Sequence, residues 1–96
     1  MARSNDKSLK EAIEQLVKTY KIEGKLNEVK LLSSWEKLMG TMVAKRTNEL
    51  FIRDRKLFVL LSSASLREEL NMSRNKILEM LNQEAGAHVI DEVVFN

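Results

Sequence analysis

The chain has 96 residues, 44% of them hydrophobic and 31% charged, with five aromatics and neither cysteine nor proline. This balance fits one folded domain whose core rests on Leu, Ile, Val and Met, and it excludes disulfides, zinc–thiolate sites and thiol nucleophiles. The net charge of +2 is uneven: thirteen Lys/Arg stand against eight Asp/Glu up to Leu61, and three against six from Ser62 onward. That predicts either a basic end and an acidic end, or a mixed solvated surface.

Met1–Lys7 is polar and reads as a flexible N-terminal segment, with residues 8–96 forming the domain. No N-terminal apolar stretch resembles a signal peptide, which predicts a cytoplasmic protein. The longest apolar run, Leu57–Leu61, is far shorter than the ~20 residues of a membrane span. Ser8-Leu9-Lys10-Glu11 has the form of a capping box. Leu9, Ile13, Leu16, Val17 and Tyr20 follow at helical spacing, so a first helix is expected to about Tyr20, with Lys18 and Lys21 near its negative end. Gly24 marks a break.

A second helix is expected from about Leu26–Asn27, with Leu31, Leu32, Trp35, Leu38, Met39 and Met42 on one stripe. Gly40 either ends it in a left-handed cap or lies in a kink, with Thr41–Arg46 adding a turn. Glu49–Arg53 and Lys56–Leu61 read as strands joined around Asp54-Arg55. This turn lacks the Asn-Gly or Asp-Gly signal, which leaves the register open. Ser65-Leu66-Arg67-Glu68 is a second capping box, opening a helix with Leu66, Leu70, Ile77 and Leu81 on its apolar face. Asn71-Met72-Ser73 bends or splits that helix, and Gly86 ends it. Val89–Phe95 is a third strand, returning parallel to the second through a right-handed crossover. The expected fold is α+β in the order α-α-β-β-α-β, a three-stranded mixed sheet with the last helix on one face. Trp35, Leu38, Leu57, Val59, Leu61, Leu70 and Leu81 are its expected core.

The residues offer little for covalent chemistry. His88 stands alone after the last helix and reads as a surface residue, and without Cys or a second His the soft ligands of zinc are missing. Glu68-Glu69 and Asp91-Glu92 are sequence neighbours whose side chains point apart. Three glycines make neither a P-loop nor a dinucleotide fingerprint, and the GxxG clamp of a KH domain is absent. No metal or cofactor is implied. Lys45-Arg46 and Arg53 with Arg55-Lys56 bracket the first strand. They suit contacts to the phosphates of single-stranded DNA or RNA, or else serve solubility and guard a sheet edge. Lys18, Lys21 and Lys25 add charge at the first interhelical loop. Phe51 and Phe58 read as core rather than base-stacking residues, so no stacking platform is evident. The second strand is apolar on both faces. Either the first two helices wrap the face that the last helix leaves bare, or an apolar patch is open to a partner.

From about Leu26 to Phe95 the chain resembles the DciA-like family of bacterial proteins. The pattern is Trp35, Gly40 and Thr47, a hairpin with Leu57, Val59 and Leu61, Ser62-Ser63, Glu69-Leu70, Leu78, Leu81-Asn82 and a final apolar strand. Asn48-Glu49 lacks the proline often found after the threonine. Arg55 replaces a glycine common in the turn, and Leu66 stands where an aromatic is frequent. The resemblance implies a KH-like domain similar to the N-terminal domain of the initiator DnaA. It also implies a non-enzymatic adaptor that binds a DnaB-type replicative helicase, assists its loading and binds DNA.

Overall fold

A computed structural model describes the backbone of residues 5–20 and 22–96, and the side chains of residues 8–16 and 22–96. The expectations for Met1–Ser4, for Lys21 and for the side chains of Val17, Lys18 and Tyr20 lie outside the described residues. The elements are α1 (Asn5–Tyr20), α2 (Glu23–Ser33), α3 (Trp35–Met39), α4 (Thr41–Lys45), β1 (Thr47–Arg53), β2 (Lys56–Leu61), α5 (Ala64–Met72), α6 (Arg74–Ala85) and β3 (Glu92–Phe95). The expected order holds, with the second and third helical segments broken into shorter helices. No helix among the described residues is long and apolar enough to cross a membrane.

The breaks have local causes. The Ser34 hydroxyl donates to the Leu31 carbonyl at 2.7 Å, and the Ser34 N–H bonds the same oxygen at 3.1 Å. A side chain that competes for the helix's own acceptor tightens and ends the helix there. Gly40 sits at φ 91°, ψ 164° between α3 and α4. That is neither a left-handed cap nor a kink but a corner in a region essentially reserved for glycine. Gly24 does not mark the break: α2 begins at Glu23 and Gly24 lies in its first turn, where backbone N–H groups lack helical partners in any case. The first capping box also misplaces its helix. The chain is already helical at Asn5, ahead of Ser8, and Asn-Asp-Lys contains no Gly or Pro to stop the helix short of the serine. The second box is displaced by two residues: the cap of α5 is Ser63, whose hydroxyl accepts the Leu66 N–H at 3.2 Å. Ser73 splits the last helix into α5 and α6, and Gly86 closes α6 in the left-handed conformation at φ 78°.

The sheet order is β1-β2-β3, antiparallel between β1 and β2 and parallel between β2 and β3. Arg53 pairs with Lys56 across a two-residue turn in which Asp54 (φ 52°) and Arg55 (φ 61°) are both left-handed. The turn is thus of the primed type that matches strand twist, made without glycine. The register shifts between Thr47 and Glu49. This bulge at Asn48 turns Thr47 to the same side as Leu50 and Ile52. β3 is shorter than expected, beginning at Glu92 rather than Val89.

Pairs in register share a face. Leu50, Val59 and Phe95 form one row, and Ile52, Leu57 and Val93 the next. α2, α5 and α6 all pack toward this side. Leu57, Val59, Val93, Leu31, Leu81 and Ile90 are fully enclosed there, with Trp35, Leu61, Leu70, Ile77 and Phe95 nearly so. Leu38 is only half-buried, against the rim of this core, and Met42 is exposed. Met42 leaves the expected stripe because Gly40 re-aims the chain before α4.

Candidate functional site

Among the described residues, no helix packs over the opposite face of the sheet. Phe51, Phe58 and Val94 are in register across its three strands, with Leu60 one step along β2. All four are half-buried and lie outside the core cluster. The two phenylalanine rings stack, with centroids 5.1 Å apart and planes 14° from parallel. The Arg53 guanidinium lies over the Phe51 ring, 5.7 Å from its centroid. The reading of both phenylalanines as core therefore fails. They are a stacked pair on the uncovered face. Strand alternation separates the two faces but does not say which one the helices choose, and here all the helices that touch the sheet choose the same one.

Charged side chains rim this face. Arg53, Lys56 and Glu92 form one row across the strands, and Glu49 stands beside Leu60. Lys56 Nζ lies 3.9 Å from Glu92. Two cations and two carboxylates leave little net field, so attraction here comes from aromatic and aliphatic surface more than from charge.

The five basic residues singled out in the sequence are not brought together. Lys45 ends α4 and Arg46 caps it, giving its carbonyl to the Ser62 N–H at 2.9 Å. Arg53, Arg55 and Lys56 sit at the far end of β1, about 20 Å away at ~3.4 Å per residue. Arg55 is engaged within the fold. Its Nε donates to Asp91 Oδ2 at 3.0 Å, and its Nη2 donates to Asp91 Oδ1 at 3.3 Å and to the His88 carbonyl at 3.0 Å. His88 Nε2 lies 2.6 Å from Asp91 Oδ1. Hydrogen bonds from Arg55 first, then His88, hold the Asp91 carboxyl at about 2, below its ordinary range. Arg55 and Lys56 thus join the basic half of the sequence to the acidic half, as does Lys37, paired with Glu84. These three pairs offset part of the unevenness along the chain.

The other motif residues support the scaffold. Trp35 Nε1 donates to Thr47 Oγ1 at 3.1 Å, and that hydroxyl donates to the Val43 carbonyl at 2.8 Å. With Gly40 at the corner, this relay fixes α3, α4 and the start of β1. Asn82 Oδ1 accepts the N–H groups of Val89 (2.9 Å) and Ile90 (3.1 Å), while its Nδ2 donates to the Ile90 carbonyl at 2.9 Å. One amide thereby aims the loop that delivers β3.

Comparison with known proteins places the chain in a family. A relative in Corynebacterium glutamicum (strain R), described as a UPF0232 protein, is 33% identical over 61 residues. That match covers 64% of this chain and 34% of the relative, so the chain spans about a third of its length. No solved structure matches. The family model described as "Dna[CI] antecedent, DciA" matches residues 8–95, nearly the whole sequence from α1 through β3, and the chain belongs to the DciA family.

Proposed function

We propose that this chain is a non-enzymatic adaptor that engages a DnaB-type replicative helicase and helps to place it on DNA, in the cytoplasm. The observation that carries this reading is the family match across residues 8–95. An uncovered sheet face with a half-buried apolar centre and a balanced charged rim supports it, since such a surface suits a protein partner. The test is a titration of the labelled protein with the cognate helicase. Saturable binding at micromolar concentrations is expected, and no binding at tens of micromolar would refute the adaptor reading.

A second reading is favoured by the Phe51–Phe58 stack with Arg53 above it: the same face holds single-stranded DNA or RNA. Bases stack on aromatic side chains without regard to sequence, at about 1–3 kcal/mol each. Arg53 and Lys56 are the phosphate contacts nearest the stack. At ~0.7 per contact, these two give a salt slope of about −1 to −2. Lys45 and Arg46 serve only a strand long enough to run the length of β1. In an anisotropy titration with a labelled oligonucleotide, Phe58→Ala is expected to weaken binding at least about tenfold. Binding that is insensitive to Phe58→Ala and to Arg53→Glu would leave the adaptor reading alone.

A further inference from the structure

The outward side of α2 carries apolar residues that the fold does not use. Ile22, Leu26 and Val29 are 38%, 55% and 62% exposed. At ~100° per residue they fall within a narrow arc, and Leu31, the α2 residue enclosed in the core, is turned about 180° from Ile22. Ile22 already has helical dihedrals, and its carbonyl accepts the Leu26 N–H at 3.0 Å, so the stripe is continuous.

α1 does not cover it, since Ile22, Leu26 and Val29 all stay exposed within the whole chain. α1 carries an exposed stripe of its own, Leu9, Ile13 and Leu16, with the same i, i+4, i+7 spacing.

The charges beside the α2 stripe indicate what covers it. Glu23 and Lys30 flank one side of the stripe, Lys25 and Glu28 the other. Around a two-fold axis at Leu26, with a second α2 antiparallel, like flank meets like flank. Glu23 then falls beside Lys30 of the second copy, and Lys25 beside Glu28 of the second copy. Leu26 meets Leu26, and Ile22 lies beside Val29 of the second copy. All four flanking pairs are of opposite sign, and none sets like charges together. Within one chain Lys25 Nζ is 3.7 Å from Glu28, a loose exposed pair that the second copy can extend.

We infer that this chain associates with a second copy of itself through the Ile22–Leu26–Val29 stripe of α2, antiparallel about Leu26. The contact is isologous, so every favourable pair occurs twice. The α2 stripe is smaller than a standard specific interface, which makes the dimer weak and concentration-dependent. This surface lies on the helical side, away from the uncovered sheet face, and the inference does not rest on the proposed function.

Sedimentation equilibrium of the whole chain, from micromolar to millimolar concentration, tests it. Wild type is expected to pass from monomer to dimer. Leu26→Glu sets two carboxylates against each other on the axis and is expected to raise the dimer dissociation constant at least about tenfold; its circular dichroism spectrum should match wild type, since Leu26 is outside the core. Glu23→Lys and Lys30→Glu should each weaken the dimer, and the two together should restore it, because the swap rebuilds both pairs. A wild type that stays monomeric throughout, a Leu26→Glu variant that dimerises as well as wild type, or a double charge swap without rescue would overturn the inference.

Discussion

Replacing Thr47 with Val keeps the shape of the side chain but removes the oxygen that joins Trp35 to the rest of the fold. Two hydrogen bonds disappear, and they are not equal. The Val43 carbonyl keeps a second donor, the Arg46 N–H at 3.1 Å, so losing the Thr47 hydroxyl does not orphan it. The indole N–H has no such alternative. Trp35 is 4% exposed and Thr47 Oγ1 is its acceptor at 3.1 Å. Leaving a buried donor unpaired costs about 1–3 kcal/mol. In a domain of this size that lowers the melting temperature by roughly 4–8 °C per kcal/mol. Thr47→Ser keeps the oxygen and loses one methyl, about 0.8 kcal/mol at most. The decisive measurement is a double-mutant cycle with Trp35→Phe, read by urea unfolding and far-UV circular dichroism. Once the indole N–H is gone, Thr47→Val has less to break, and its cost should fall by about 0.5–1.5 kcal/mol. An equal cost in both backgrounds would show that the relay carries no stability and that Trp35 is held by packing alone.

Asn82→Ala should cost roughly 2–3 kcal/mol in urea unfolding, because it leaves the Val89 and Ile90 N–H groups without their acceptor; amide exchange at these two positions should rise first. At the hairpin turn, Arg55→Gly should be more stable than Arg55→Ala by about 1 kcal/mol, since both lose the Asp91 pair but only glycine accepts a positive φ without penalty. Equal stabilities would mean that the turn relaxes. Asp91 makes the fold pH-dependent in one direction. Its carboxyl titrates at about 2 when folded and at ~3.9 when unfolded, so its contribution is complete above the unfolded value and is lost as pH falls toward 2. The difference in urea midpoint between wild type and Asp91→Asn should therefore be largest near neutrality and vanish at the acid end; a constant difference would refute the assignment.

The strands were the most legible part of the chain. Lys56–Leu61 stands out as an apolar run bounded by charge and serine, and its parallel return to Glu92–Phe95 follows from chain order and handedness. Helix boundaries were less so, because the decisive signals were single side chains. Ser34 looks like a neutral helix residue until its hydroxyl is seen on the Leu31 carbonyl, and Ser63, Ser65 and Ser8 are equally plausible caps by type. Trp35 and Thr47 are twelve residues apart, and only the bulge at Asn48 points the threonine inward. The basic residues were visible, but their partners were not: Arg55 meets Asp91 only through tertiary structure. Phe51 and Phe58 show how far alternation goes. It places them together on one face without saying whether that face is covered.

The central strand also has a consequence for how the chain is made. β2 is apolar on both faces, and its second neighbour is β3, thirty residues later in the sequence. The β1–β2 hairpin is complete soon after Leu61 leaves the ribosome, but one edge of β2 stays unpaired until Glu92–Phe95 has been synthesised. A long-range parallel partner is slow to find, and an open apolar edge is where nascent chains stick to one another. Truncations that stop before Glu92 should therefore keep a formed hairpin yet aggregate in cells, and holdase chaperones should bind the nascent chain most strongly while α5 and α6 are being translated.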